Sequence, residues 1–459
     1  MAEKTKTNTL TMASYGVGKF LAEFMTGAYG IMVYYFYEKE MRLNALYVAI
    51  ATVIYSIWNA VNDPLLGYLT GKKNKITQRF GKHMPWIISG IVLCSLVYIG
   101  VFAVPGFVKR SSLLLFLWMV VFVCIYDGCY SLWEVNYQGV FPDKFRTTAE
   151  REKTAVISTT IGVFGVALGA VLPPMFYSYG KPASFVVSAV IIGIIGIAGA
   201  FLIRRGVRET AEMKTRRETS TAPEIGFIES LKSSLKYREF LALIIMLFLY
   251  QSACMCMTSS VNYVVSGVLG LKSSDTTTIF AGMLIGALIS ILVWKKVSSR
   301  IRNNNQRLLV ITCLAMAVAS TLMYFCNTKL AFALGMFAWG LGFGGYWTFM
   351  GPAMADVVDS VVVSEGVRRD GILMGVRAFF MRLSYTSQAI VFWLCHSLTG
   401  YDSSVDGMQA PRAVMGIKLH ISLVPAFFFI LAAMCMMYMT RLTPDKVAEN
   451  KKKLQELGL

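Results

Sequence analysis

Apolar runs close to 20 residues long recur along the whole chain, separated by shorter polar stretches. About that many residues are needed for a helix to cross a bilayer. The runs do not alternate with period two, so they do not read as barrel strands. Lipid leaves only helices and closed barrels able to satisfy the backbone. The pattern predicts twelve spans, near 12–37, 45–70, 85–105, 112–138, 154–177, 183–203, 240–266, 276–294, 308–326, 330–355, 371–396 and 419–440. The expected class is an all-α, multi-pass membrane protein. The N-terminal "MAEKTKTNTL" is polar, and no short apolar core leads to a small-residue cleavage site, so no cleaved signal peptide is expected.

Composition agrees with this class. The chain has 459 residues, 56% hydrophobic and 15% charged, where a soluble protein carries about 25% charged residues. The net charge of +18 would suit nucleic acid, but its distribution argues against that partner. Most of the 44 Lys and Arg fall in the loops on the N-terminal side and in the two termini. This is the positive-inside pattern. It predicts cytoplasmic termini and a place in a cell membrane, inner or plasma. The nine cysteines are scattered, with Cys94, Cys254, Cys313 and Cys435 inside apolar runs. They read as small packing residues rather than as disulfides or metal ligands.

The longest internal polar stretch, 204–238, separates the sixth and seventh spans. The reading is an N-terminal six-helix bundle (1–203), a cytoplasmic linker (204–239), a C-terminal six-helix bundle (240–440) and a tail (441–459). Two sets of six spans joined by a basic linker resemble the layout of the major facilitator superfamily. That resemblance implies a solute site between the halves near the midplane. Basic loops fall at matching places, "GKKNKITQRFGKH" (71–83) and "KKVSSRIRNNNQR" (295–307). They serve topology and suit a cytoplasmic latch. The tail "TPDKVAENKKKLQELGL" reads as a short amphipathic or solvated helix.

Few ionisable side chains lie within the spans, where such groups are expensive and usually functional. Asn59, Asn62 and Asp63 are spaced i, i+3, i+4 and share one helix face, with Pro64 next. Amide and carboxylate oxygens suit a hard cation, and a lone carboxylate suits a proton; a structural pair with an arginine is the alternative. On the first span, Lys19 and Glu23 stand at i, i+4, with Tyr15 on the same face. They form either a ligand contact or an internal ion pair. On the fourth, Asp127, Ser131 and Glu134 make a stripe flanked by Tyr130 and Trp133. Carboxylates with aromatic rings suit a hydroxyl-rich or amphipathic solute. The eleventh span carries Arg377 and Arg382; the tenth carries Trp347, Asp356 and Asp359, the two acids at an end where a gate is expected. Neither a paired Ser and His, nor a metal cluster, nor a phosphate-binding glycine loop is visible, so an enzyme is not expected. No cofactor is expected beyond a co-transported H+ or Na+.

Several stretches together resemble the glycoside–pentoside–hexuronide:cation symporters, the melibiose permease family. The strongest is "WNAVNDPLLGYLTGKKNKITQRFGKHMPW" (58–86). "SYGVGKFLAEF" (14–24), "DGCYSLW" (127–133) and "ADVVD" (355–359) after Trp347 also match. The resemblance implies that Glu23 and Asp127 contact sugar and that Trp347 lines the site. It also implies that Arg382 stands where the family links sugar and cation sites, and that Asn62 and Asp63 serve the cation. The departures are instructive. The family's second carboxylate is Asn59 here, its sodium-holding threonine aligns with Cys124, and its fifth-span arginine is missing near Ser158 and Thr159. Charge count sets much of a hard-cation site's affinity.

The expectation is therefore a monomeric symporter with a central solute site, working by alternating access among membrane lipid. It couples to protons through Asp63, with sodium coupling weakened by Asn59. The expected solute is a sugar, glycoside or related organic acid. The rival is a lysolipid or other amphipathic-solute transporter of the same wider family. A non-transporting scaffold or sensor is the reading from another class.

Overall fold

The computed structural model describes residues 8–71, 77, 81–145, 147–210, 213, 235–301, 304–365 and 370–457. The side chains of Asp63 and Pro64 lie outside the described set, as do most of the 204–239 linker and the middle of the 71–83 loop.

The chain divides into two compact units, Met1–Pro223 and Glu224–Leu459; the boundary lies inside the segment read as a linker. Six long helices build the first: α1 (Thr9–Tyr35), α2 (Ala45–Gly71), α3 (Met84–Phe102), α4 (Ser112–Lys144), α5 (Thr148–Val171) and α6 (Pro182–Leu202). Six more build the second: α7 (Arg238–Tyr263), α8 (Ser273–Arg300), α9 (Asn305–Met323), α10 (Lys329–Glu365), α11 (Asp370–Thr399) and α12 (Val424–Met439, entered through Pro411–Lys418 and a π turn at Leu419–Leu423). A last helix, α13 (Pro444–Leu457), forms the tail.

Among the described residues, eight helices are long and apolar enough to cross a membrane by themselves. The remaining four long ones are α1, α2, α8 and α11, each 27 to 30 residues. Three of these carry the polar residues singled out above: Lys19 and Glu23, the Asn59–Asp63 set, and Arg377 with Arg382. Intramembrane polar groups lower a helix's apparent hydropathy without shortening it.

The helix pairings of the first unit recur in the second. α1 packs on α5 and α6, α2 on α4, and α3 on α4 and α6. Correspondingly, α7 packs on α11 and α12, α8 on α10, and α9 on α10 and α12. Backbone endings repeat too. After α1, Met41 N–H donates to Phe36 O (2.8 Å) and Leu43 N–H to Tyr37 O (2.9 Å). After α7, Leu269 N–H donates to Val264 O (2.9 Å) and Leu271 N–H to Val265 O (2.8 Å). Each ending passes through the left-handed region, at Arg42 (φ 55°) and at Gly270 (φ 61°).

Local sequence explains the helix starts. Asn8 caps α1 by accepting from Leu10 N–H, Thr147 and Glu150 form a capping box on α5, and Asn304 caps α9. The start of α3 is capped from a distance: the Glu209 carboxylate accepts from the Lys82 and His83 amides. Within the helix pairs, small residues allow close approach, since lipid gives apolar faces little reason to associate. A Cβ on Gly169 of α5 would sit 2.7 Å from the Phe24 carbonyl oxygen of α1. At one end of the first unit, Lys144 clamps the turn that follows α6. Its ammonium donates to the carbonyls of Arg205 (3.0 Å), Gly206 (2.7 Å) and Arg208 (3.0 Å). Burial, and then neighbouring Arg205, pull its pKa down to about 8.

Candidate functional site

In the first unit, α2 and α4 bring the polar residues of two predicted groups into one buried network. Asn59 Nδ2 donates to Asp127 Oδ1 (2.5 Å) and Asn62 Nδ2 to Asp127 Oδ2 (2.7 Å). Asn62 also donates to Ser131 Oγ (3.2 Å). All four side chains are buried. The i, i+3 spacing of the two asparagines aims both amides at one carboxylate, while Asp127 and Ser131, at i, i+4, face back. Cys124, one turn before Asp127, is half-buried. An amide N–H is donated to each carboxylate oxygen. Asp127 thus shares one buried network with Asn59 and Asn62.

Two aromatic residues of the expected ligand face are packed between helices. Tyr15 stacks on Tyr137 with ring centroids 4.4 Å apart, and each phenol donates to the other residue's carbonyl. Trp133 is fully buried, and a Cβ on Gly90 of α3 would meet its Cβ at 2.8 Å. Six residues at 100° each carry Trp133 about 240° round α4 from Asp127, toward α3 rather than along the stripe. Tyr130 is half-buried, and its phenol accepts from Thr26 Oγ1 of α1 (3.2 Å). Glu134 accepts from Gln138 on its own helix. Lys19 and Glu23 form an ion pair at 2.5 Å with side chains 46% and 35% exposed, so the internal-pair alternative describes them.

The second unit carries an aromatic wall beside a half-buried cation, Arg377. Tyr250 and Tyr346 stack face to face at 3.3 Å, and Trp347 meets both edge-on (6.3 and 5.7 Å). Trp347 remains 36% exposed. The polar atoms buried here without a hydrogen-bond partner among the described residues include Tyr250 Oη and the neighbours Arg377 Nε and Tyr346 Oη. Arg377 and Tyr346 lie within electrostatic reach of each other. Arg382, five residues on, is half-buried on a different face of α11. Toward the tail, Asp356 Oδ2 accepts from Asn305 Nδ2 (2.9 Å), and Lys451 of α13 lies 3.8 Å from Oδ1. Asp359 is half-buried three residues further.

The match to known proteins now has a physical setting. The model of the family "MFS/sugar transport protein" matches residues 14–443. The chain belongs to this family. The sodium-dependent lysophosphatidylcholine symporter 1 of Gallus gallus is 22% identical, over 91% of this chain and 83% of its own length. A lactose permease of Lactobacillus delbrueckii subsp. bulgaricus is 26% identical over a shorter stretch, 36% of this chain and 27% of its own. Among solved structures, the nucleoside transporter NupG superposes with a TM-score of 0.59 at 11% identity, covering 94% of this chain and all of that one. At that identity the likeness speaks for fold alone. The fold is the major facilitator fold, the protein is an integral membrane transporter, and it is not an enzyme.

Within this MFS/sugar transport protein, one constellation went unread in the sequence. Ser260 of α7, His420 and His396 of α11 form a continuous buried chain, with Ser260 Oγ to His420 Nδ1 at 2.6 Å and Nε2 to Nε2 at 3.2 Å. The partners are separated by 160 and 24 positions, so no local motif announces them. Among the described residues, no group of three or more His, Cys, Asp or Glu could hold a metal ion.

Proposed function

We propose that this transporter is a cation-coupled symporter of an amphipathic organic solute bearing an acidic head group. The observation that carries the reading is the pair of buried, unpartnered donors in the second unit, Arg377 Nε and Tyr346 Oη, beside the Tyr250–Trp347 ring wall. A buried guanidinium Nε–H needs an acceptor, and a phosphate or carboxylate fits the guanidinium fork. Aromatic faces take the apolar part of such a solute. Two observations on the first unit weaken a sugar reading. Both Asp127 oxygens are occupied by amides, and the Tyr15 and Trp133 rings are packed between helices. The full-length likeness to a lysophosphatidylcholine symporter points the same way.

A neutral sugar is the second reading. It is favoured by the half-exposed Glu23, the exposed edge of Trp347 and the partial likeness to a lactose permease.

Coupling resides in the first unit. Two carboxylates facing each other at 59 and 127 would need a cation between them; here the Asn59 amide supplies the positive end of a dipole instead. That weakens the case for bound sodium and favours a proton, carried by Asp63. The test is flux in proteoliposomes holding purified protein, with a lysophospholipid and a disaccharide offered separately under pH and sodium gradients. Expected are lysophospholipid uptake driven by the pH gradient and at least a tenfold loss in Arg377→Gln. Disaccharide uptake with no lysophospholipid uptake would overturn the reading of the solute. Drive by sodium alone would overturn the reading of the cation.

A further inference from the structure

The segment after α6 opens the stretch read as a linker, yet its first residues are bonded down on other helices of the first unit. The helical turn Arg204–Val207 lies against α1. Ser14 of α1 uses its hydroxyl twice. Its Oγ donates to the Leu202 carbonyl (2.6 Å) and accepts from the Gly206 amide (2.8 Å). Arg205 Nε donates to Thr11 Oγ1 (3.3 Å). Gly206 is pressed so closely on α1 that a Cβ there would run into the Tyr15 amide. Ile203 and Val207 are fully buried. From the end of α4, the Lys144 ammonium directs its three N–H groups at the carbonyls of Arg205, Gly206 and Arg208.

Beyond that turn, Glu209 reaches α3. Its Oε1 accepts from the Lys82 amide and from the His83 amide, the second at 3.3 Å. Gly81 makes the approach possible: its φ is 99°, and a Cβ there would stand 2.9 Å from Glu209 Cδ. The carboxylate thus occupies the start of α3, where unpaired amides and the helix dipole favour a negative charge. Glu209 Oε2 is buried with no hydrogen-bond partner among the described residues, so the grip on the two amides rests on one oxygen. The last carbonyl held by Lys144, that of Arg208, belongs to the peptide bond that leads into Glu209. The clamp on α4 therefore sets where the Glu209 side chain begins.

We propose that residues 203–209 act as one cooperative strap, with Glu209 as its clasp, so that the start of α3 and the root of the linker are released together. The strap ties four helix ends: the end of α6, the start of α1, the end of α4 and the start of α3. The basic loop that ends at His83 suits a latch at this end of the unit, and through the clasp that latch is controlled from the linker. A pull on the linker beyond the strap reaches all four helix ends at once. Glu209 is a positioning residue, acting through the first amides of α3.

Backbone hydrogen exchange on the full-length protein, read by mass spectrometry, tests this without any solute. The reporters at α3 are the Lys82 and His83 amides. Those in the strap are the amides of Gly206, Val207 and Arg208, bonded to Ser14 Oγ and to the carbonyls of Ile203 and Arg204. The amides of α9 in the second unit serve as the internal reference. In Lys144→Met both groups of reporters are expected to exchange about tenfold faster or more, although every bond removed is to the strap. In Glu209→Ala the same two groups are expected to lose protection together. Glu209→Gln keeps an acceptor oxygen and loses the charge, so it should fall between wild type and Glu209→Ala at both places. Loss confined to 206–208 in Lys144→Met, or to 82 and 83 in Glu209→Ala, would show two separate caps and overturn the proposal. Unchanged rates in both groups would overturn it as well.

Discussion

Asn59 of α2 donates its side-chain amide to Asp127 of α4 at 2.5 Å, across a helix pair that lies at the centre of the first unit's polar network. An amide in this place gives the buried carboxylate a hydrogen-bond donor, where a second carboxylate would give it a like charge. Replacing the amide by a carboxylate changes that balance. Asn59→Asp sets two like charges in contact, and one must protonate or a cation must enter. The variant is expected to melt below wild type without sodium and to regain stability as sodium is added at constant ionic strength, with wild type unresponsive. Equal melting of both proteins in every salt would show that positions 59 and 127 do not meet as described.

Truncating the same amide reads its contribution. Asn59→Ala leaves one Asp127 oxygen without that donor, at a cost of about 1–3 kcal/mol. Asn62→Ala should cost more than this, since its amide reaches both Asp127 and Ser131. Denaturation in a fixed detergent checks the order.

Lys144 gives the protein a rising stability at alkaline pH. Its folded pKa, about 8, lies below that of the unfolded chain. Between about 8 and about 10.4 the unfolded state holds a proton that the folded state has released, so stability increases with pH there. Below about 8 both states are protonated and the contribution is constant. The melting temperature of wild type minus that of Lys144→Met should therefore climb as pH goes from 7 toward 10. A falling difference would mean that the three carbonyl bonds outweigh burial.

At the tail, two contacts to one carboxylate differ in weight. The Lys451 side chain is 61% exposed and lies 3.8 Å from Asp356, so Lys451→Ala should change stability by no more than about 1 kcal/mol and only at low salt. Asn305→Ala removes a 2.9 Å bond to a buried acid and should cost about 1–3 kcal/mol in any salt. Melting curves at two ionic strengths separate them.

Arg42 occupies the left-handed region where Gly270 stands in the second unit. Arg42→Gly and Arg42→Ala both remove the guanidinium, but only glycine fits the backbone without strain. The glycine variant should be the more stable of the two by about 1 kcal/mol. Equal stabilities would place the strain elsewhere.

The fold was largely legible because a membrane span is a property of composition over about 20 residues, and polar interruptions did not hide α1, α2, α8 or α11. The faces of helices were legible too: the Asn59 and Asn62 spacing predicted one shared face, and both amides do point one way. What they point at was not. A helical wheel gives direction without partner, so nothing in the sequence joined Asp127 to Asn59 and Asn62. The packing of Tyr15 and Trp133 was not legible either, since an aromatic ring packs between helices as readily as it lines a cavity. The histidine chain depends on segments 160 positions apart and left no local trace.

The matched endings of α1 and α7 supply a ruler. Phe36 falls on Val264, Tyr37 on Val265 and Arg42 on Gly270, so one offset carries each position of the first helix onto the seventh. Along it, Lys19 lands on Leu247 and Glu23 on Gln251, while Ser260 lands on Met32. The ion pair has no counterpart in the later copy, and the histidine chain's hydroxyl has none in the earlier one. A single six-helix text written twice has been edited differently in each printing, and a change made in one leaves no matching letter to disturb in the other.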